Sequence, residues 1–494
     1  MSSSRRFPDP VYADTILAPQ FAASQRWLFV PMLDASEAHL LMLNATGLMA
    51  DAQAAKVWAA LQALKQAGSG SFAYDPQVED LFFQMEARIV ELAGEEAGGN
   101  LHLARSRNDL DAAMARLALR AMLLEVHRLL EALRATLLRR IEEHAETLMP
   151  GHTHTQPAQP TTLGHFLAAT AEALERDTVR VQAAFARTNR GPLGAAALTT
   201  TGFPIDREFT AHLLGFDDVV INSYDAIGGV DYALESLSAL TTCALGMARL
   251  IHELLLWATR EYGTLRIDDS FIQISSIMPQ KRNPVVLEHL RARVAWILGS
   301  AGTAHSLVQA AAFGDTVDVE DELYEPLFRT FEHGIAFLRL ADSALATCQF
   351  DKEKLAARAT EGFTTATEFA DTLVRHAGLS FRQAHRVAST IVRKAGGEPG
   401  GVTAPLVADA ALEALGPDLG SRVQLTAEQL QAALDPWAFV RARTIPGGPA
   451  PETVRAHAEQ MQETLRRDIA WRTRVESALA QASADRQARA AALA

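Results

Sequence analysis

The sequence predicts an all-α protein organised around a bundle of long helices. Between positions 110 and 148 there is no proline or glycine, and Leu119, Leu123, Val126, Leu130, Leu133, Leu137 and Ile141 recur at steps of three and four, the helical period. Residues 163–188, 230–262, 284–312 and 324–348 are further long amphipathic stretches rich in helix formers. Aromatics are only 7% of the chain while Ala, Leu, Glu and Arg abound, which favours helices over strands.

Taken in order, residues 1–104 read as a mixed helical N-terminal domain, with loops at Gly68-Ser69-Gly70-Ser71 and from Gly94 to Asn100. Residues 105–350 form the central long-helix domain. Its first helix is capped by Asn108 or Asp109 and ended by Pro150-Gly151. A helix of roughly 40 residues is about 60 Å long, too long to bury itself within one compact domain. Apolar residues on more than one face, as in Leu254-Leu255-Leu256-Trp257, point to burial against further subunits and so to a homo-oligomer. Residues 351–494 read as a C-terminal domain of shorter helices broken by Gly/Pro runs, ending beyond Arg474 in a solvated helix or frayed tail. One such run, Gly396-Gly397-Glu398-Pro399-Gly400-Gly401, has neither a preceding strand nor the lysine of a phosphate cradle, and reads as a turn.

The chain has 494 residues and a formal net charge of −13, which argues against a nucleic-acid partner. Local arginines and lysines still allow a small anionic substrate. Cys243 and Cys348 lie far apart among apolar neighbours and read as buried thiols. Arg5 and Arg6 are followed by no apolar signal-peptide core, and no run approaches ~18 uninterrupted apolar residues. The expectation is a soluble cytoplasmic protein.

Three segments carry chemistry. Ala104-Arg105-Ser106-Arg107-Asn108-Asp109 precedes the first long helix. An arginine fork grips a carboxylate with two hydrogen bonds, and free N–H groups at a helix start add to the preference for anions. The second, from Pro150 to Pro160, places His152 and His154 in what its prolines and glycine make an irregular loop, where a histidine exchanges protons near neutral pH. Zinc is an alternative for the two histidines, but no third ligand with metal-site spacing is nearby. The third, Ser275-Ser276-Ile277-Met278-Pro279-Gln280-Lys281-Arg282-Asn283-Pro284, collects hydroxyls, cations and an amide before a helix. Asn283 suits the N-cap and Pro284 the first helical position, so the loop is delivered to the positive end of a helix dipole.

This third segment resembles the signature loop of the fumarase/aspartase superfamily, whose members add or remove water, ammonia or an amine across the double bond of fumarate. Arg105-Ser106-Arg107-Asn108-Asp109 and Pro150-Gly151-His152-Thr153-His154-Thr155-Gln156 resemble the argininosuccinate lyase branch. So do Ile205-Asp206-Arg207, Ala366-Thr367-Glu368 and the run from Phe439 to Arg443. The resemblance covers roughly residues 25 to 465. It implies a three-domain all-α fold and a homotetramer whose active sites draw the three segments from different subunits.

The resemblance also implies roles. Ser275 is the base, Lys281 and Asn283 hold the dianion, and Ser106, Arg107, Asn108 and Thr153 grip the fumarate portion. His154 moves the proton on the amine side, and Glu288 raises its basicity. Ser276, Met278 and Gln156 complete the substrate contacts. Neither cofactor nor metal is called for.

The departures fall on one half of the substrate. Ile274 stands where the family usually has glycine. Met32 falls near the place of an acidic residue that helps bind the arginine end. The stretch from Gly314 to Glu322 keeps only Glu320-Asp321 of the usual pattern, and the usual S-D-R-D is Gly228-Gly229-Val230-Asp231. Added Asp315, Asp318 and Glu322 favour a cationic amine tail. The expected activity is therefore a carbon–nitrogen lyase acting on an N-substituted aspartate other than argininosuccinate, in a branch that also holds lyases of aminopolycarboxylic acids. The alternatives are argininosuccinate lyase itself and a catalytically silent structural relative.

Overall fold

The structure, a computed structural model, describes residues 7–493; Arg5 and Arg6 lie outside the described residues. The N-terminal region includes α1 (Phe29–Ala45). The bundle consists of α2 (Arg107–His144), α3 (Leu163–Thr188), α4 (Asp231–Trp257), α5 (Val285–Ala310) and α6 (Asp321–Thr347). Leu130 and Leu133 of α2, Leu174 of α3, Leu240 of α4, Ile297 of α5 and Phe331 of α6 are buried in one shared apolar cluster. Their three-and-four spacing puts each stripe on a single helix face.

Ser106, not Asn108 or Asp109, caps α2. Its hydroxyl accepts the Asn108 N–H, while Asp109 at the third helical position accepts the Ser106 N–H at 2.9 Å. Asp109 was legible as a capping residue but works from the far side of a reciprocal capping box. The helix stops at His144, and α3 starts close against its end. A Cβ on Gly164 would lie 2.8 Å from Ala145 Cα, so only glycine fits there.

Between these helices the expected irregular loop is an antiparallel hairpin, β1 (Leu148–Thr153) with β2 (Gln156–Thr162). A two-stranded ladder leaves every second N–H unpaired, so proline is tolerated, and Pro150 faces Pro160 across it. Before α5, β3 (Gln273–Ile274) pairs with β4 (Arg282–Asn283). Asn283 is therefore not the cap of α5: its Nδ2 donates to Gln273 O at 3.1 Å, and Pro284 takes the cap position without a side-chain bond.

Among the described residues α4 is the one helix long and apolar enough, by length and composition, to cross a membrane. Its Leu237, Leu240, Met247 and Leu254 are buried in the bundle.

A second cluster, including Phe369, Leu373, Val387, Ile391 and Val407, forms within residues 363–433. The Gly396–Gly401 run follows the helix Phe381–Lys394, not a strand. Of the two readings for the stretch beyond Arg474, a solvated helix or a frayed tail, the structure has the helix: it ends the 41-residue α7 (Pro451–Ala491), mostly exposed there. Nearer its start, α7 returns to the first cluster through Val454, Met461 and Leu465. Buried charges fix its register: Asp468 Oδ2 lies 2.5 Å from Arg134 of α2, and Arg486 lies 3.3 Å from Asp34. These partners are hundreds of residues away, so the local composition of the tail gave no sign of them.

Candidate active site

At the start of α2, Ser106, Arg107 and Asn108 are half-buried. Asp109, fully buried, accepts the Gly194 and Ala196 N–H groups at 2.8 and 3.0 Å, tying the 194–197 loop to this helix start. Asn108 Nδ2 donates to Ala197 O at 3.4 Å. Burial pushes the Asp109 carboxyl up to about 6 against these bonds. Arg107 forms an ion pair with Asp80 and lies 3.7 Å from Asp111, its guanidinium 5.6 Å from the Phe82 ring centre. The sequence had no signal for Asp80 as a partner, because the two meet only in the tertiary fold.

His154 and Thr155 are the two residues of the hairpin turn between Thr153 and Gln156. Their φ values are +50° and +63°. A two-residue turn with both central φ angles positive follows the right-handed twist of the strands, but is normally made by Asn-Gly. Holding a histidine and a threonine there stores local strain, as is common at functional positions. Thr153, His154 and Gln156 are all exposed at this tip. His152, one strand position back, has Nε2 3.3 Å from the Tyr262 hydroxyl. Among the described residues there is no group of three His, Cys, Asp or Glu able to hold a metal.

In the signature loop, Ser275 Oγ accepts the backbone N–H groups of Met278 at 3.1 Å and Ile277 at 3.4 Å. Two donors on one hydroxyl oxygen favour negative charge on it. Ser276, Met278 and Lys281 are exposed. The β3–β4 ladder and an ion pair between Arg282 and Asp269 close the base of the loop. Glu288 is exposed in the first turn of α5.

Within one chain the three segments stand apart. Among the described residues no hydrogen bond or ion pair joins one to another, and Glu288 has none with His154. Ser106 opens the 38-residue α2, while the hairpin begins just beyond its other end. At ~1.5 Å per residue these ends are about 57 Å apart.

The unusual stretches, by contrast, gather near Arg107. Glu320 lies against the carboxyls of Asp111 and Asp315, and Asp321 lies in the same field. Burial first, and then the neighbouring carboxyls, by sharing a proton and by repulsion, push Glu320 up to about 8 and Asp321 to about 6; Asp315, though exposed at its outer side, is raised to about 7. Burial likewise pushes Asp111 up to about 6. Gly228 lies against Gly314: a Cβ at 228 would be 2.9 Å from Gly314 N. Tyr224 stacks on Phe313 with centroids 5.5 Å apart. Asp318 is exposed, and Glu322 accepts from Gln20 at 3.3 Å. Met32 is buried on α1, beside Ser36 and the buried Arg105.

The lyase family matches residues 21–299, and the argininosuccinate lyase C-terminal family matches residues 363–441. The chain is 41% identical over 456 residues to argininosuccinate lyase of Methanoculleus marisnigri, covering 92% of this chain and 91% of that one. With argininosuccinate lyase 1 of Shouchella clausii it shares 36% over 461 residues, covering 93% and 92%. Among solved structures, EDDS lyase in complex with formate superposes with a TM-score of 0.88 at 29% identity, covering 98% of each chain. An EDDS lyase variant with bound fumarate gives 0.87 at 30% identity, again covering 98% of each. Class II fumarase of Schistosoma mansoni, 17% identical with a TM-score of 0.67, shares the fold over 87% of this chain and 92% of its own. The chain belongs to the argininosuccinate lyase-like branch of the fumarase/aspartase superfamily, and it is a carbon–nitrogen lyase that produces fumarate.

Proposed function

We propose that this lyase releases an amine other than arginine from an N-substituted L-aspartate, reversibly, in the manner of the aminopolycarboxylic acid lyases. The observation that carries the reading is the 314–322 stretch: it packs on Gly228 and delivers Glu320 to the acidic cluster around Arg107. The half of the site that grips fumarate keeps its residue types, while the half facing the amine has new ones. The likeness to EDDS lyase supports the same reading.

In the reaction, Ser275 acts as an alkoxide whose charge the Ile277 and Met278 N–H groups share. It takes the proton from the carbon beside one carboxylate, and Lys281 and Asn283 hold the resulting dianion. The C–N bond then breaks, its electron pair stays on nitrogen, and His154 supplies the proton that nitrogen needs. Glu288 of another subunit sets the basicity of His154. Ser106, Arg107, Asn108, Thr153, Gln156, Ser276 and Met278 hold the fumarate portion. No metal or cofactor takes part.

The enzyme is a cytoplasmic homotetramer with sites shared between chains. The separation of Ser106 from His154 supports this, as do exposed apolar residues on the long helices: Leu245 and Leu256 of α4 and Trp296 of α5.

Mixing a panel of amines with fumarate and enzyme, and following the ultraviolet absorbance of fumarate, tests the reading. Consumption with an amine other than arginine is the expected result. Turnover confined to argininosuccinate would establish the second reading, argininosuccinate lyase, which the 41% identity to such an enzyme favours. An enzyme inert toward both would be a structural relative.

A further inference from the structure

Behind the His154 hairpin lies a pocket of 410 Å³, and of its lining residues only Thr153 has a part in the proposed steps. One wall is the hairpin itself, residues 149–153 and 158–161; the others are α3, α4 and the 439–449 segment. The volume falls in the range of small-molecule sites, and its lining has the usual character, apolar with a few polar groups.

One charge in it has no partner among the described residues. Arg443 shares Glu368, 2.9 Å from its Nη2, with Arg375; its Nη1 donates to Phe439 O at 2.6 Å, and its guanidinium covers the Phe439 ring. His165 is engaged at both ring nitrogens, with Thr161 Oγ1 at 2.8 Å and Gly447 O at 3.0 Å, and burial holds it below its ordinary pKa, so it is neutral at pH 7. Glu253 also lines the pocket and has no hydrogen bond or ion pair among the described residues. One helical turn further along α4 is Trp257, whose ring lies 5.1 Å from that of Phe166. An unpaired carboxylate beside two aromatic rings attracts a cation, by charge and by the negative faces of the rings.

We propose that this pocket binds an organic monocation, an ammonium or guanidinium group carried on an apolar body. The charged group pairs with Glu253 and the body packs on Trp257 and Phe166. Because the hairpin is one wall, the occupant bridges it to α4 and to the C-terminal segment, steadying the strained turn that presents His154. The cation seat at Glu253 and Trp257 lies outside the fumarate grip, with which the pocket shares only Thr153, and it does not depend on which amine the enzyme releases.

Benzylammonium is a suitable probe, with benzyl alcohol and benzoate as neutral and anionic controls, titrated calorimetrically into the full-length protein. The expected Kd is on the order of 1 mM for a molecule of this size. Glu253→Gln should weaken it about tenfold, the controls should bind about tenfold less tightly, and saturating fumarate should leave it in place. Ala169→Leu, which adds bulk from the α3 wall, should abolish binding, with circular dichroism reporting that both variants are folded. Equal binding of benzyl alcohol, an unaffected Glu253→Gln variant, or displacement by fumarate would each overturn the proposal. So would the absence of saturable binding. Fumarate consumption with the amine panel is scored separately, so failure here leaves the lyase reading intact, and the reverse also holds.

Discussion

Ser275 Oγ and the Met278 backbone N–H lie 3.1 Å apart, so the loop folds back to donate to the oxygen of its own first serine. With Ile277 as a second donor, the hydroxyl is prepared for negative charge before any substrate arrives. Ser275→Ala should lower kcat by at least about 10³-fold, the scale of losing an essential general base, with an unchanged unfolding midpoint. Substantial residual turnover in that variant would remove Ser275 from the base role.

The length of α2 separates Ser106 from His154 within a chain, and an active site needing both must take them from different copies. Ser106→Ala and His154→Asn should each be nearly inactive alone. Unfolding and refolding an equal mixture should restore up to about a quarter of wild-type activity, because about one site in four then draws both intact residues. No recovery from a mixture that does form mixed oligomers would mean that each site comes from one chain.

The bundle was largely legible because its signal is local. Periodicity placed helices at 163–188, 230–262 and 284–312, and the structure has them at Leu163–Thr188, Asp231–Trp257 and Val285–Ala310. The three chemical segments could be named for the same reason: each is contiguous. What failed were judgements that depend on partners distant in sequence. Asn283 is a good cap by type, but Gln273 engages its amide. The hairpin was hidden by prolines that would end a helix or disrupt a central strand but are harmless in a two-stranded ladder. The neighbours of Arg107 come from Asp80, Asp111 and the 315–321 stretch, and no local pattern connects these positions.

The acidic cluster gives stability a definite pH dependence. Glu320 and Asp315 are raised to about 8 and 7, and Asp111 and Asp321 to about 6, all above their unfolded values. A raised folded pKa means that the stabilising form is the protonated one. The contribution is therefore complete below the unfolded pKa values of about 4, and is lost as pH rises through about 6 to 8. Urea midpoints should fall between about pH 5 and about pH 9, and Glu320→Gln should flatten the decline, gaining on the order of 2 kcal/mol at the upper end. The carboxylates titrate as a group, so the whole profile, not a single inflection, is the quantity to compare. A variant whose midpoint falls as steeply as wild type would show that Glu320 is ionised throughout.

The last helix is held by a buried charge pair whose removal should be costly. Arg134 is 2% exposed, Asp468 6%, and Asp468 also accepts from Gln182 Nε2 at 2.9 Å. Asp468→Ala leaves the guanidinium buried with Thr178 at 3.2 Å and Glu175 at 3.4 Å as its remaining partners. Removing one partner of a buried pair costs about 3–5 kcal/mol, the longer contact to Glu175 keeping the value here at the lower end, while replacing both partners by apolar residues of similar volume is often neutral. Asp468→Ala should therefore lower the unfolding free energy by about that amount, and the pair Arg134→Met with Asp468→Leu should recover most of it. Chemical denaturation at one fixed protein concentration measures both, so that any contribution from association is held constant. A single variant within about 1 kcal/mol of wild type would mean that α7 is held by its apolar stripe alone, with Met461 and Leu465 sufficient to keep it on the bundle.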